Sequence, residues 1–259
     1  MTLPAEIIQL AQDLADRSAD IIRSYYRQPF VIDEKADDSP VTIADREAER
    51  VMREHINAVR PHDGIIGEEL GEENPAAEWV WVLDPIDGTK SFTVGRPLFV
   101  TLIGLLHWGK PVLGVINQPI LGDRWIGGQG LPTTLNGVTV RASAVTQIKQ
   151  ARIGTTGPEY LNAALPVFKQ MVADCRYPIY GGDGFLYAQL ASGWLDVVAE
   201  EGLKLHDFAA LAPVIIAAGG VMTDWQGQPL LIGSKGCVLA AATAELHASL
   251  LPAFSVLPL

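Results

Sequence analysis

Cysteine is scarce in this chain of 259 residues, and long uninterrupted hydrophobic runs are absent. The two cysteines, Cys175 and Cys237, have neither CxxC nor CxxH spacing, which argues against a disulfide framework and a structural zinc site. The longest apolar stretches, residues 98–106 and 211–222, are shorter than the roughly 20 residues that a bilayer-spanning helix needs. The N-terminal segment carries acidic residues and lacks the basic start and apolar stretch of a signal peptide. These absences predict a cytoplasmic protein.

Positive charge is also in short supply, with 19 lysines and arginines against 30 aspartates and glutamates, a net charge of −11. This excess argues against binding to nucleic acid or to a membrane, since both interactions depend on neutralising phosphates. A small anionic ligand is still allowed, because a bound divalent metal ion reverses the local charge of a carboxylate cluster. Apolar residues make up 48% of the chain, enough for one large core or two intimately packed ones.

The first half of the chain, residues 1–150, begins with two helical patterns. Apolar residues recur at helical spacing over residues 3–25 and again over 48–59, with a polar loop at 33–42 between them. Thr42 is the expected N-cap of the second helix, with Asp45 in its first turn. Apolar runs separated by turn residues then predict a sheet meander, with strands at 64–69, 79–84, 98–106, 111–120 and 124–128.

The second half, residues 151–259, alternates between the two periodicities. Strands are predicted at 151–155, 195–199, 221–225 and 238–242, and helices at 160–173, 184–192 and 206–218. The sequence contains no linker between the halves, so they are expected to pack as one compact unit of sheet and helix layers. The predicted fold class is α/β, with a layered α+β arrangement.

The most informative segment is a strand that runs directly into two acids, Asp84-Pro-Ile-Asp87, followed by Gly88. A buried carboxylate is costly to ionise unless a cation compensates it. Two carboxylates and the Ile86 carbonyl aimed at one point would form the oxygen-only set that Mg²⁺ prefers. Gly88 permits close approach, and a helix beginning at Thr89 would offer free N–H groups to an anion. An ordinary aspartate-rich turn with solvated acids is the alternative.

Two other apolar elements also end in acids. Glu68 and Glu69 end the strand predicted at residues 64–69, and Asp207 stands at the start of an apolar helix. Taken singly, the glutamates are equally typical of a charged strand end, and Asp207 of a helix cap. The order of the three acidic sites along the chain is what carries the functional information.

These motifs together resemble those of a known family. Gly67-Glu68-Glu69, Asp84-Pro-Ile-Asp87-Gly-Thr89 and Asp207 ahead of Ala217-Ala-Gly-Gly220 are similar to the inositol monophosphatase family of magnesium-dependent, lithium-sensitive phosphatases. Within it, Gly181-Gly182-Asp183 and Asp196-Val-Val-Ala-Glu200 resemble the histidinol-phosphate phosphatase branch. The chain departs from that branch in two places: Gly184 stands where a cysteine is expected, and Leu205-His206 where Pro-Tyr is expected.

The resemblance implies an alternating αβαβα sandwich with two sheets and flanking helices. It implies two to three Mg²⁺ ions, with Mn²⁺ as an alternative, on Glu68, Asp84, the Ile86 carbonyl, Asp87 and Asp207. Glu68, Thr89 and Asp45 would be catalytic, the last two orienting the attacking water, and Lys35 would act from its loop. The amides of Gly88 and Thr89 would bind phosphate, as expected at a helix start. A homodimer is also implied.

The substrate is expected to carry a positive charge. Asp183 and Glu200 occupy the family positions that touch the alcohol, beside Asp87 and Asp207, and two carboxylates suit a cationic alcohol such as L-histidinol. Glu201 is expected to point away from the pocket, because adjacent strand residues face opposite sides. The predicted reaction is hydrolysis of L-histidinol phosphate. Inositol 1-phosphate or a sugar phosphate is the alternative substrate, and a non-catalytic cation-binding module is the alternative class.

Overall fold

A computed structural model of the chain describes residues 2–29, 32–34 and 40–259. Two amphipathic helices, α1 (Ala5–Tyr25) and α2 (Ile43–Val59), lie side by side. Thr42 caps α2, because its hydroxyl oxygen accepts from the Ala44 amide while Asp45 accepts from the Thr42 amide. The predicted polar loop before α2 is wrong in part, since β1 (Ile32–Glu34) and β2 (Pro40–Thr42) pair there as antiparallel strands.

The first sheet has the order β10-β9-β8-β7-β6-β5-β3-β4, and only the β3–β5 pair is parallel. The five predicted strands are confirmed, although the first ends at Gly67 and leaves Glu68 in a turn. A short helix, α3 (Thr89–Thr93), connects β5 to β6. The strands are β3 (Gly64–Gly67), β4 (Gly71–Glu73), β5 (Trp79–Asp87), β6 (Val100–His107), β7 (Lys110–Gln118), β8 (Asp123–Gly128), β9 (Leu131–Leu135) and β10 (Val138–Thr139).

The second sheet has the order β12-β11-β13-β15-β14, with β12, β11 and β13 parallel. Its strands are β11 (Arg152–Thr155), β12 (Tyr177–Tyr180), β13 (Val197–Glu200), β14 (Val221–Asp224) and β15 (Val238–Ala241). The helices of this half are α4 (Leu165–Asp174), α5 (Gly184–Ala191), α6 (Leu205–Phe208), α7 (Leu211–Ala217) and α8 (Ala244–Phe254). Sequence periodicity did not predict β4, β9, β10, β12 or α8.

The predicted helix at residues 206–218 is wrong as a single element, because α6 and α7 are separated at Ala209 and Ala210. Pro213 has no N–H to donate to the Ala209 carbonyl, and its ring excludes that carbonyl from a continuous helix. The broken backbone lies directly on the first sheet. A Cβ added to Gly104 would lie 2.9 Å from the Ala209 Cβ, so this glycine makes the close approach possible.

Three clusters of buried side chains stack these elements into five layers. The first joins α1 and α2 to one face of the first sheet. The second lies between the two sheets and contains α5 and α7. The third packs α4 and α8 against the outer face of the second sheet. The predicted αβαβα sandwich is therefore confirmed, and the proposed boundary at residue 150 falls between β10 and β11. Across the described residues, each helix is too short or too polar to cross a bilayer.

Candidate active site

Asp84 and Asp87 lie on the same face of β5 because the strand contains a bulge. Asp84 pairs with Leu102 and Asp87 with Val100, so three steps on β5 oppose two on β6. In a regular strand, side chains three residues apart point to opposite faces, and the extra residue reverses this. The Thr101 hydroxyl donates to the Pro85 carbonyl over 2.8 Å within the bulge. The predicted pair of convergent carboxylates is thus produced by strand register.

Glu68 follows β3 in a turn that α2 holds in place. The buried Glu49 carboxylate of α2 accepts from the Glu69 amide at 2.8 Å and from the Leu70 amide at 3.1 Å. Arg53 completes this arrangement by donating to Glu49 over 2.7 Å. Sequence reasoning missed Glu49. The signal available was an acid four residues after Asp45, on the face of α2 that buries Ala44, Ala48 and Met52.

Asp207 reaches the same point from α6. Its carboxylate accepts from the Lys204 amide at 2.6 Å, which fixes it in the first turn. Ligand oxygens of Asp84, Asp87 and Asp207 lie within 4.8 Å of one another, and so do ligand atoms of Glu68, Asp84 and His206. His206 was not predicted to be a site residue. The structure therefore brings together four predicted acids and adds an imidazole to them.

The electrostatics of this acidic cluster fit a bound divalent cation. Burial, followed by repulsion from Glu68, Asp87 and Asp207, raises the pKa of Asp84 well above its usual value. Burial and the neighbouring Asp183 and Asp207 do the same for Asp87, and burial also raises the pKa of Asp207. Among the described residues, Asp84 Oδ1 is buried without a hydrogen-bond partner. A cation on these oxygens would remove both the repulsion and the unsatisfied acceptor.

Asp45, Ile86 and Thr89 border the acidic cluster. The Thr89 hydroxyl donates to the Ile86 carbonyl over 3.0 Å. Asp45 Oδ2 accepts from the Thr42 amide and hydroxyl, while Oδ1 is buried and has no hydrogen-bond partner in the described part of the chain. Burial raises the pKa of Asp45 to about 6. Lys35, the predicted loop residue, lies outside the described residues.

Gly88 is the N-cap of α3 and lies close to Asp183. Its φ of +92° is in the left-handed region that favours glycine. A Cβ at this position would lie 2.8 Å from Asp183 Oδ2, so a side chain there would displace the carboxylate. The glycine therefore serves both the turn and the close packing of the predicted phosphate and alcohol sites.

An open cavity of about 290 Å³ extends from the acidic cluster. It is lined by the predicted residues Glu68, Asp87, Gly88, Thr89, Asp183, Glu200 and Asp207, together with residues that were not predicted, among them Lys90, Thr156, Tyr160 and Tyr187. Asp45, Asp84 and Ile86 lie beneath this surface, each with at most 2% of its area exposed. The predicted metal and substrate residues thus form one continuous site.

Two predicted substrate acids lie in the cavity wall, where Asp183 is half-buried and Glu200 is buried. Burial and the charge of Asp207 raise the pKa of Asp183 to about 6, against the opposing effect of Lys90. Burial likewise raises the pKa of Glu200 to about 7, although Glu200 accepts from the Thr156 amide at 2.6 Å. A cationic group in the cavity would stabilise both carboxylates, since a nearby positive charge favours their ionised forms.

The expectation that Glu201 points away from the cavity is wrong, because both glutamates line it. Strand β13 ends at Glu200, so strict alternation does not extend to the next residue. The two carboxylates nevertheless have different partners. Glu201 accepts from three successive backbone amides, those of residues 162–164, immediately before α4. It therefore anchors the segment that leads into α4.

Two unpredicted side chains give the cavity further polar groups. Lys90 donates to the Tyr160 hydroxyl over 2.7 Å and brings a positive charge to the wall. The Tyr187 hydroxyl is buried and has no hydrogen-bond partner among the described residues. Lys90 directly follows Thr89, and this position within the motif was the available signal. Tyr187 gave none, because its helix is apolar on all sides.

Comparison with known proteins agrees with this geometry. The model of the inositol monophosphatase family matches residues 3–257. The chain belongs to the inositol monophosphatase family. It is therefore a phosphatase of a metal-dependent family, and the predicted resemblance is confirmed.

Several members of the inositol monophosphatase family are closely similar to this chain. The bifunctional phosphatase IMPL2, chloroplastic, of Arabidopsis thaliana is 46% identical over 90% of the chain and 70% of its own length. A histidinol-phosphatase of Chlorobaculum parvum is 35% identical over 90% of the chain and 91% of its own length. The structure of an inositol monophosphatase from Zymomonas mobilis superimposes with a TM-score of 0.90 at 45% identity, covering 98% of this chain and 100% of that one.

Proposed function

We propose that this family member hydrolyses L-histidinol phosphate to L-histidinol and phosphate. The observation that carries the proposal is a pair of acids, the half-buried Asp183 and the buried Glu200, in the wall of a cavity that begins at the acidic cluster. An inositol ring needs only hydroxyl hydrogen bonds. An ammonium group and an imidazole would pair with the two carboxylates and offset the cost of taking them out of water. The histidinol-phosphatase of Chlorobaculum parvum supports the same assignment.

Mg²⁺ would be held by Glu68, Asp84, the Ile86 carbonyl, Asp87 and Asp207. The ligand set is all oxygen, which suits Mg²⁺ or Mn²⁺, and the resemblance implies two to three ions. When bound, such ions neutralise charge on the phosphoryl oxygens and lower the pKa of the attacking water.

Asp45 and Thr89 have the proton-handling role in the proposed reaction. The Thr89 hydroxyl donates to the Ile86 carbonyl, so its own oxygen is available to accept a hydrogen bond from the attacking water. Asp45 Oδ1 is the free acceptor that can take up the released proton. The amides of Gly88 and Thr89, at the start of α3, are assigned to the phosphate oxygens.

Phosphate release from histidinol phosphate and from inositol 1-phosphate, each with and without Mg²⁺, tests the proposal. We expect Mg²⁺-dependent release with a clear preference for histidinol phosphate. Equal rates on both esters would contradict the substrate and favour a broad phosphatase, which the similarity to the Zymomonas mobilis inositol monophosphatase also supports. Release from neither ester would favour the non-catalytic cation-binding module.

The double variant Asp183→Asn/Glu200→Gln identifies the groups that recognise the alcohol. It should lower kcat/KM for histidinol phosphate by about 100-fold or more, since charge-assisted hydrogen bonds are worth about 1.5–3 kcal/mol each. Inositol 1-phosphate is the matched control, because its alcohol part is uncharged. The kcat/KM for this ester should fall much less. An equal loss on both substrates would place these acids outside the alcohol site.

A homodimer is proposed from the resemblance. The edge strand β12 supports it, since Tyr177, Ile179 and Tyr180 are exposed there by 45%, 38% and 47%. Exposed apolar side chains on an edge strand are typical of an association surface. Sedimentation velocity should give the mass of two chains, and a Tyr177→Lys/Ile179→Lys variant should give one. A monomeric wild-type protein would contradict the proposal.

A further inference from the structure

His206 lies inside the acidic cluster although the family resemblance assigns it no role. It directly precedes Asp207 in α6, and only 12% of its side chain is exposed. Its Nε2 lies 3.5 Å from Asp207 Oδ1 and 3.9 Å from Glu68 Oε1. The resemblance predicts a tyrosine at this position, so this chain has exchanged a phenol for an imidazole next to two predicted metal ligands.

The spacing of these atoms suits shared coordination of one ion. Ligand atoms about 2.1 Å from an octahedral ion are about 3.0 Å apart when adjacent and about 4.2 Å apart when opposite. The distance from His206 Nε2 to Glu68 Oε1, 3.9 Å, lies between these two values, and the ligand atoms of Glu68, Asp84 and His206 are all within 4.8 Å of one another. Glu68, Asp84 and His206 therefore form the set that could share one cation, while Asp207 belongs to a second set with Asp84 and Asp87.

We propose that His206 Nε2 is a nitrogen ligand to a divalent cation held beside Glu68 and Asp84. This proposal rests on the metal-dependent function proposed above and refines it. An imidazole favours Zn²⁺ and other transition ions, whereas an all-oxygen site favours Mg²⁺. The exchange at this position therefore shifts the metal preference of the centre toward transition ions.

Pulsed electron paramagnetic resonance of the Mn²⁺-loaded protein detects a directly bound imidazole through its nitrogen coupling. The wild-type protein should show this coupling, and His206→Phe should lose it while still binding Mn²⁺ through its carboxylates. His206→Gln is the second variant in case phenylalanine prevents folding, since it keeps a polar group but lacks the imidazole nitrogen. His62→Phe is the matched control, because His62 is an exposed histidine outside the cluster.

Metal affinity gives an independent measurement. Calorimetric titration should show the ratio of Zn²⁺ to Mg²⁺ affinity falling by about tenfold or more in His206→Phe, since even outer partners of metal ligands are worth 10- to 100-fold. His62→Phe should leave the ratio unchanged.

The possible outcomes separate this proposal from the function on which it rests. Nitrogen coupling that depends on His206 and survives in His62→Phe would support the assignment. Bound Mn²⁺ without nitrogen coupling, or coupling that persists in His206→Phe, would overturn it and leave His206 as an ion-pair partner of Glu68 and Asp207. A wild-type protein that binds no Mn²⁺ would overturn both this assignment and the metal-dependent function.

Discussion

Replacing Glu200 by glutamine measures what a buried acid of the proposed substrate site costs the folded protein. Glu200 is 2% exposed, and burial raises its pKa from 4.5 to about 7. Glutamine keeps the shape, and its amide oxygen can still accept from the Thr156 amide. The variant therefore removes the ionisation while it keeps the shape and this hydrogen bond.

The sign and size of the effect follow from linkage. Because the folded-state pKa is raised, the folded protein keeps a proton that the unfolded chain loses between pH 4.5 and about 7, and stability falls as the pH rises through that window. One pKa unit corresponds to about 1.4 kcal/mol, so ionised Glu200 costs the folded state about 3 kcal/mol above pH 7. Glu200→Gln should match the wild-type stability near pH 4 and exceed it by up to about 3 kcal/mol near pH 8.

Urea denaturation of both proteins across this pH range, with a chelator present, gives the two free energies of unfolding. Glu201→Gln is the matched control, because it should change the free energy of unfolding in the opposite direction. It replaces a carboxylate that accepts from three backbone amides with a side chain that has one acceptor oxygen, and should be destabilised. A Glu200→Gln difference that is missing above pH 7, or equally large at both ends of the range, would refute the reasoning.

Three further substitutions test the site. Asp84→Asn should abolish Mg²⁺-dependent phosphate release and remove the stabilisation of the fold by Mg²⁺. At a Mg²⁺ concentration 100 times the dissociation constant, that stabilisation amounts to about 2.7 kcal/mol. Thermal melts with and without Mg²⁺ check this, and a melting temperature that Mg²⁺ still raises in the variant would contradict the assignment. Glu49→Gln should weaken Mg²⁺ binding by about tenfold, since it loosens the turn that carries Glu68. Calorimetry measures this loss, and unchanged affinity would show that the turn holds without Glu49. Gly184→Ala should lower kcat/KM in phosphate-release assays, because the added Cβ would collide with Asp87 Oδ2; full activity would show that the carboxylate can move freely.

Local pattern accounts for much of the fold. The apolar spacing of α1 and α2 predicts their existence because a surface helix must bury one face, whatever it packs against. The strands from Trp79 to Gly128 are similarly evident from apolar runs between turn residues. Elements without a strong periodicity were not predicted, such as the edge strand β12, whose residues are mostly exposed. The break between α6 and α7 was not predicted either, although Pro213 was a visible signal for it.

The sequence by itself determined which acids end the apolar elements and the order in which they occur. Glu68, Asp84, Asp87 and Asp207 could therefore be predicted to act together, because a carboxylate at the end of a buried element needs a compensating partner. This information is local to each element. The family resemblance then supplied the roles that these residues would have.

Only the tertiary structure decided how these side chains meet. The bulge in β5 depends on pairing with β6. The hydrogen bond from the Glu69 amide to the Glu49 carboxylate joins two segments 20 residues apart. The approach of His206 to Glu68 joins residues that are separated by about half of the chain. These contacts depend on register and packing between distant segments, which no local periodicity encodes.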